Sequence, residues 1–306
     1  TKEHRLALAL FGLLLEPVQE SSVSEGLIVC KSNTGLEIEK VDLTKGLQNK
    51  LMNALVKVRE DLECKKPPPL TSERRKCTLC SWRGICNSEA SAEGHLSQVS
   101  GIGARRQQIL QELGINHLQD LAATDPIVLS KNLKDFGEQH SDIANELVAQ
   151  AKAQRYGYFE RLDPNESLPE LDNAPGVLIY DIESDPDTQD DFLHGFVHIK
   201  RKESNDWDLE GAKYHPILIL SEQNESLLWQ RLKRKLENYP DWPILHYGET
   251  EAIALYRLAK RQGAKEKELI IIKNRLIDVH LRLRKNWRLP LNNYGLKTVA
   301  GWMGFR

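Results

Sequence analysis

The segment that most restricts the fold is residues 177–183, VLIYDIE, where a short apolar run ends in two acidic residues. Its length and the preceding turn signal Pro175-Gly176 predict a buried β-strand. Because side chains alternate along a strand, Asp181 and Glu183 should point to the same side. Carboxylates placed in this way suit Mg²⁺ or Mn²⁺, and such ions can activate water against a phosphodiester. The alternative is a strand end whose two acidic residues are simply solvated.

Composition places the chain among multidomain globular proteins. It has 306 residues, of which 40% are hydrophobic and 28% are charged, and its formal net charge is -2. This balance gives no overall attraction to polyanions, so a nucleic-acid site would need local clustering of basic residues. No stretch reaches the apolar length of a membrane span, and the first 15 residues lack the cleavage site of a signal peptide. We therefore expect a cytoplasmic protein without a membrane partner, and the initial Thr suggests missing upstream residues.

The first 63 residues have the pattern of a helix, a hairpin and a second helix. Residues 4–16 are apolar around most of the helix and predict a helix buried on several sides that ends near Pro17. Two short strands, residues 27–30 and 36–39, flank a turn at residues 32–35. Helical spacing then extends over residues 47–62. This segment contains no catalytic pattern.

Cysteines cluster after this segment. Cys77, Cys80 and Cys86 form a C-x2-C-x5-C pattern, and Cys64 is a local candidate for a fourth ligand. In a reducing cytoplasm such spacing favours a metal centre over a disulfide, and both zinc and an iron–sulfur cluster fit four soft ligands. The alternative is a set of free, buried thiols beside Trp82.

Residues 95–123 contain Gly101-Ile102-Gly103 between two helical patterns, and this arrangement resembles a helix-hairpin-helix module. Glycines allow the backbone to approach a phosphate, and amides at a helix start attract the anion. Arg105 and Arg106 follow, and residues 64–114 hold eight Lys or Arg against four Asp or Glu. The pattern predicts sequence-independent binding of a phosphate backbone. The alternative is a helical turn ended by glycine. A helix is expected over residues 142–159, followed by a linker over residues 160–176.

The remaining residues have the pattern of an α/β domain. Strands are expected at residues 191–200 and 214–220 after the first one, then a helix at 222–236, a strand at 242–248 and a helix at 249–262 that ends at Gly263. His194, His198, His246 and His280 lack paired spacing, which favours packing or surface positions over metal ligation. We expect the tryptophans of this domain to lie in the hydrophobic core.

Three motifs in this order resemble the RNase H-like exonucleases of the DEDD type, closest to the YprB-like branch and to the proofreading domain of family B polymerases. YDIES resembles their first motif, which implies that Asp181 and Glu183 bind metal ions. ILHYGETE resembles their second motif, with Glu251 where Asp is usual. Residues 278–305 resemble the stretch before the last motif, which implies a supporting role for Asp278 and places the last catalytic Asp beyond Arg306.

The cysteine segment PPPLTSERRKCTLCSWRGIC resembles the C-terminal end of RecB-type nucleases that carry a 4Fe–4S cluster. That resemblance implies that Cys77, Cys80 and Cys86 are ligands, whereas the fourth ligand lies far upstream and Cys64 need not be one. It also implies that residues 1–90 are the tail of a nuclease domain without its carboxylate–lysine motif.

We therefore predict an RNase H-like mixed sheet domain at residues 174–306. It would be preceded by a helix-hairpin-helix module at residues 91–160 and the tail of a RecB-type domain at residues 1–90. The expected activity is metal-dependent hydrolysis of phosphodiester bonds, 3′–5′ exonuclease-like, with Mg²⁺ or Mn²⁺ and a 4Fe–4S cluster, or zinc in its place. DNA is favoured over RNA as the partner. The alternative is a non-catalytic nucleic-acid-binding module with a degenerate RNase H-like domain.

Overall fold

The computed structural model describes residues 2–32, 35–64, 70, 77, 80–165, 167–185, 191–219 and 225–305. The chain divides into two compact units, Thr1–Thr71 and Ser72–Arg306. Within the described ranges, no helix is long and apolar enough to cross a membrane.

The first unit consists of a helix, a hairpin and a second helix, as the sequence predicts. Its elements are α1 (Lys2–Gln19), β1 (Glu25–Ser32), β2 (Gly35–Asp42) and α2 (Lys45–Glu63). The two strands pair antiparallel along their whole length, from Glu25 opposite Asp42 to Ser32 opposite Gly35. The side chain of Thr44 caps α2 by accepting a hydrogen bond from the amide of Leu47, 3.3 Å away. The predicted turn residues Asn33 and Thr34 lie outside the described residues.

Two details of the prediction for α1 are wrong. The helix continues through Pro17 to Gln19, because a proline in the last turn removes only one hydrogen bond. Burial on several sides is also absent from the described part of the helix, where only Ala9 and Gly12 are buried and Phe11 is 64% exposed. The core of this unit is correspondingly small, because it draws its buried apolar side chains from Ala9, Val41, Leu43 and Leu51.

The second unit begins with a helical part. Its α-helices are α3 (Arg83–Glu93), α4 (Ala104–Glu112), α5 (Leu118–Ala123), α6 (Pro126–Leu133), α7 (Glu138–Ser141) and α8 (Ala144–Tyr156). They enclose a core of their own, which includes Leu96, Ile109, Leu121, Leu133 and Leu147. The predicted last helix is confirmed but ends earlier, because Gly157 adopts the left-handed conformation that closes it.

A mixed sheet of five strands follows. Its strands are β4 (Gly176–Ser184), β5 (Asp191–Lys200), β6 (Lys213–Leu218), β7 (Ile244–His246) and β8 (Leu276–Asp278), in the spatial order β6-β5-β4-β7-β8. β4, β5 and β6 pair antiparallel, whereas β7 and β8 run parallel to β4. Helices α9 (Glu225–Glu237), α10 (Thr250–Arg261) and α11 (Glu266–Arg275) connect the later strands and share a core with one face of the sheet. The predicted order of strands and helices is confirmed as far as α10.

Several elements escape the sequence patterns. α11, β8, α12 (Val279–Asn286) and α13 (Leu296–Trp302) were not predicted, and β8 has only three residues, too few to display a period. The predicted linker is partly ordered, because it contains β3 (Glu160–Arg161), which pairs antiparallel with β9 (Trp287–Arg288). Residues 222–224 of the predicted helix lie outside the described residues.

The helical part packs against the segment that follows α12. The buried amide of Gln150 donates hydrogen bonds from Nε2 to the carbonyls of Leu289, at 2.9 Å, and Leu291, at 3.2 Å. Asn292 Nδ2 donates to Gln98 Oε1 at 2.7 Å. These contacts fix the helical part to the sheet domain within this unit.

Candidate active site

Acidic residues gather at the edge of the sheet where β4, β7 and β8 end. Asp181 lies near the end of β4, and Asp278 is the last residue of β8. The three strands are parallel, with Ile179 opposite Leu245 and His246 opposite Asp278, so their carboxyl ends meet at one edge. Parallel pairing of short strands therefore brings together two acidic residues that lie 97 positions apart in the sequence.

Glu251 lies at the same edge, in the first turn of α10, and it is buried. Burial raises the pKa of its carboxyl, and the charges of Asp181 and Asp278 raise that pKa further, against a backbone hydrogen bond that lowers it. Among the described residues its Oε2 atom has no hydrogen-bond partner, and Nδ1 of His246 lies 4.0 Å from it. A buried carboxylate oxygen without a donor is a costly arrangement that a bound cation would relieve.

Asp278 has a structural task as well. Its Oδ1 atom accepts hydrogen bonds from the amides of Leu281 and Gly248, each at 3.1 Å. The first bond caps α12, and the second ties the loop after β7 to the end of β8. Asp278 therefore positions the loop that leads into Glu251, and its charge also raises the pKa of Glu251.

Glu183 lies two residues beyond Asp181 on β4, so its side chain is on the same side of the sheet. Both residues are exposed. Across the described ranges, no group of three or more His, Cys, Asp or Glu residues is close enough to hold a metal ion. The donor chemistry of Asp181, Glu183 and Glu251 suits a hard cation, but their oxygens do not form a compact set.

A buried tyrosine–histidine pair lies on β4 and β5 near this edge, and no local sequence pattern predicts it. The hydroxyl of Tyr180 lies 2.8 Å from Nδ1 of His194, and both side chains are almost fully buried. Burial raises the pKa of Tyr180 well above its ordinary value, with contributions from Asp191, Glu251 and Asp181. His194 was expected in a packing role, and it has one, as a neutral imidazole beneath the acidic edge.

The glycine hairpin has the geometry of a tight turn before a helix. Gly101 has a positive φ of 89°, a conformation that glycine adopts without strain, and Ile102 is buried. Gly103 caps α4 without a side chain, and nothing lies within 4 Å of the position its Cβ would take. Space is therefore open beside Gly103 at the start of α4, as an approaching phosphate would require.

The two arginines of the hairpin differ in their contacts. Arg106 is half-buried and donates from Nη1 to the carbonyl of Gly101, and burial lowers its pKa. Arg105 is exposed and contacts Gln108 Oε1 at 3.1 Å. Arg106 thus stabilises the turn itself, which leaves Arg105 as the more available charge.

Three of the cysteines lie at the start of the second unit, and Cys64 lies in the first. Cys86 lies in α3, Cys80 precedes it by a turn, and the amide of Cys80 donates to the carbonyl of Cys77 at 3.3 Å. All of them are free thiols, and Cys64, at the end of α2, belongs to the other compact unit. Among the described residues, these cysteines form no group that could hold a metal ion. An iron–sulfur cluster or a zinc site therefore stays a prediction.

The five strands form a mixed sheet in the order β6-β5-β4-β7-β8, with acidic residues at one edge. Residues 178–306 match the model of a family in the RNase H superfamily, which supports an RNase H-like domain in the C-terminal part of the chain. No curated protein and no solved structure matches the chain at a significant level. The match does not reach residues 1–160, so the RecB-type tail has no support from it and the helix-hairpin-helix module stays a prediction.

Proposed function

We propose that the chain is a metal-dependent nuclease that hydrolyses phosphodiester bonds, with a 3′–5′ exonuclease-like mode. The observation that carries this proposal is the convergence of Asp181, Glu251 and Asp278 at one edge of an RNase H-like sheet. A buried carboxyl whose pKa is raised by burial and by neighbouring charges, as that of Glu251 is, supports a functional site at this edge.

The proposed ligands are Asp181 and Glu183, with Glu251 as a further ligand or as the group that orients water. Held by these oxygens, Mg²⁺ or Mn²⁺ would supply an activated water and neutralise charge on the leaving oxygen. Repulsion from Asp181 and Asp278 opposes a closer approach of the Glu251 carboxylate in the free protein. His246 packs behind that carboxylate and bonds the carbonyl of Gly248 through Nδ1 at 2.5 Å, which fixes the loop before α10.

The glycine hairpin would hold the nucleic acid. Its open helix start and Arg105 suit a phosphate group, and they contain no element that could read bases. We therefore assign it sequence-independent binding of DNA, in accordance with the local excess of basic residues. RNA is the second candidate substrate.

The cysteines would bind either a 4Fe–4S cluster or a zinc ion, which would stabilise the segment around them. The purified protein should be brown and contain iron if the first is correct, and colourless with zinc by elemental analysis if the second is. Cys80→Ser should lower the metal content in either case, while Cys30→Ser, in β1, serves as the matched control. Metal-free protein would reject both.

A non-catalytic nucleic-acid-binding module is the second candidate. The dispersed carboxylates favour it, and so does Glu251, whose side chain is one methylene longer than the usual Asp. The two candidates separate in a cleavage assay with Mn²⁺ and labelled single-stranded DNA.

We expect cleavage by the unaltered chain, and a loss of at least about a hundredfold for Asp181→Asn because a proposed ligand is removed. Asp142→Asn, an exposed change between α7 and α8, is the matched control and should keep full activity. Binding without cleavage by the unaltered chain would support the non-catalytic candidate. Cleavage that Asp181→Asn leaves intact would place the activity elsewhere in the chain.

A further inference from the structure

A pocket of about 370 Å³ lies at the free edge of the sheet, between β6 and α9. Its lining includes the cationic side chains of Arg231, Arg234 and Lys235, beside Asn238, His215, Tyr214, Pro216 and Ile217. None of its lining residues belongs to the acidic edge.

The spacing along α9 explains how the basic side chains come together. Arg231, Arg234, Lys235 and Asn238 follow one another at intervals of three, one and three residues, which places them on one face of the helix. The core side of α9 is formed by the buried residues Leu228, Trp229, Leu232 and Leu236. The cations therefore project past β6, which pairs with β5 and with no second strand among the described residues.

Within the described residues, neither arginine of the pocket nor Lys235 forms an ion pair, whereas Lys233 on the same helix binds Glu268 at 2.5 Å. The pKa shifts of two neighbouring histidines also indicate positive charge near the pocket. Burial lowers the pKa of His198 to about 4 and that of His215 also falls, and Lys235 contributes to both shifts. Unpaired basic side chains around a concave surface are suited to an anion.

The register places this pocket close to the acidic edge. Pro216, which lines the pocket, lies opposite Gly195, and Gly195 lies opposite Asp181. The backbones of Pro216 and Asp181 are therefore two strand spacings, about 10 Å, apart. Ile179 and Tyr214 lie on the same face of the sheet as Asp181 and are 41% and 57% exposed. The exposed ring of Tyr214 thus lies on the face of Asp181 and also lines the basic pocket, and aromatic side chains support bases by stacking.

We propose that this pocket binds a backbone phosphate of the same nucleic-acid strand whose scissile bond lies at the acidic edge. The ligand is a phosphodiester group, held by Arg231, Arg234 and Lys235, with a base resting on Tyr214. This inference rests on the proposed function, and it adds a second contact point on the strand. It predicts that affinity and cleavage depend on different residues.

The test compares the full chain with a triple variant, Arg231→Gln, Arg234→Gln and Lys235→Gln. The matched control removes three other exposed cations, with Arg257→Gln, Lys260→Gln and Lys267→Gln on α10 and α11. Binding of labelled oligothymidylate of about 20 nucleotides is measured in EDTA, which prevents cleavage, between about 0.05 and 0.2 M salt. Thermal unfolding of each variant verifies that it is folded.

We expect the pocket variant to bind about tenfold more weakly, and the slope of its salt dependence to fall by about 0.7, because the contact to one phosphate of a single strand is lost. The control variant should retain the original slope. Tyr214→Ala should weaken binding without changing the slope, because stacking involves no counterion release. Asp181→Asn should retain binding and lose cleavage.

Equal affinity and equal slope for the pocket variant and the unaltered chain would overturn the inference, while Asp181-dependent cleavage would still support the proposed function. Loss of binding by the pocket variant without cleavage by any form would refute the nuclease and retain the pocket. The last experiment adds inorganic phosphate in place of the oligonucleotide. If it shifts the His215 resonances while oligonucleotide affinity stays the same in the pocket variant, the pocket takes free phosphate and the strand contact is overturned.

Discussion

Arg288 and Glu146 join the sheet domain to the helical part through a charged hydrogen bond, with Nη2 of Arg288 2.6 Å from Oε2 of Glu146. Nη1 of the same guanidinium donates to Glu160 in β3. Burial disfavours the charged form of Arg288, but the two carboxylates outweigh burial and raise its pKa. The arginine is buried while its acidic partners are largely exposed, so it is the arginine that depends on the contact.

Arg288→Met should lower the free energy of unfolding by about 1 to 2 kcal/mol. Two charge-assisted hydrogen bonds are lost, and the exposure of both glutamates reduces their contribution. Urea unfolding measures the change, with Arg284→Met in α12 as an exposed control. An equal loss in both variants would contradict this role for Arg288.

His194 should limit stability in acid. Burial lowers its folded pKa to about 4 from an ordinary value of 6.5. The unfolded chain therefore takes up a proton at higher pH than the folded one. Its stabilising contribution is complete above pH 6.5 and disappears as the pH falls toward 4, a loss of about 3 kcal/mol.

His194→Gln should flatten this acid limb in urea unfolding between pH 7 and pH 4. Tyr180→Phe is the control, because it removes the hydrogen bond to Nδ1 but keeps the buried imidazole. The prediction fails if His194→Gln and the unaltered chain lose stability in parallel.

Glu251→Gln should stabilise the metal-free protein at neutral pH. The change removes a buried charge that Asp181 and Asp278 repel, a gain on the order of 1 kcal/mol. Manganese should raise the unfolding temperature of the unaltered chain more than that of the variant. Thermal scans in EDTA and in Mn²⁺ measure both effects, and equal metal stabilisation would remove Glu251 from the proposed ligands.

The hairpin arginines should separate binding from stability. Arg105→Gln should reduce the salt slope of DNA binding by about 1 and leave the unfolding temperature unchanged, because this side chain is exposed. Arg106→Gln should lower the unfolding temperature, because it loses the bond to the Gly101 carbonyl. Binding titrations and thermal scans on both variants test this, and identical profiles would refute the distinction.

Local patterns were sufficient where an element is long and its neighbours lie close in sequence. The β4 run, the hairpin of the first unit and helices α2, α8, α9 and α10 follow from periodicity and turn residues, whereas α6 and α7 had no predicted counterpart. The patterns failed for β8, whose three residues carry no period, and for α1, whose apolar composition predicted burial that the structure lacks. The basic pocket was not predicted either, because its α9 stripe and β6 residues become neighbours only in the folded sheet.

The sequence by itself determined that Asp181 and Glu183 share one side of a core strand, because strand periodicity is local. Only the tertiary structure decided that Glu251 is buried without a hydrogen-bond partner for Oε2 and under the charge of Asp181 and Asp278. It also decided that Arg106 supports the turn while Arg105 is exposed. Burial and charge interactions depend on groups distant in sequence, and parallel strand pairing and helix packing bring these groups together.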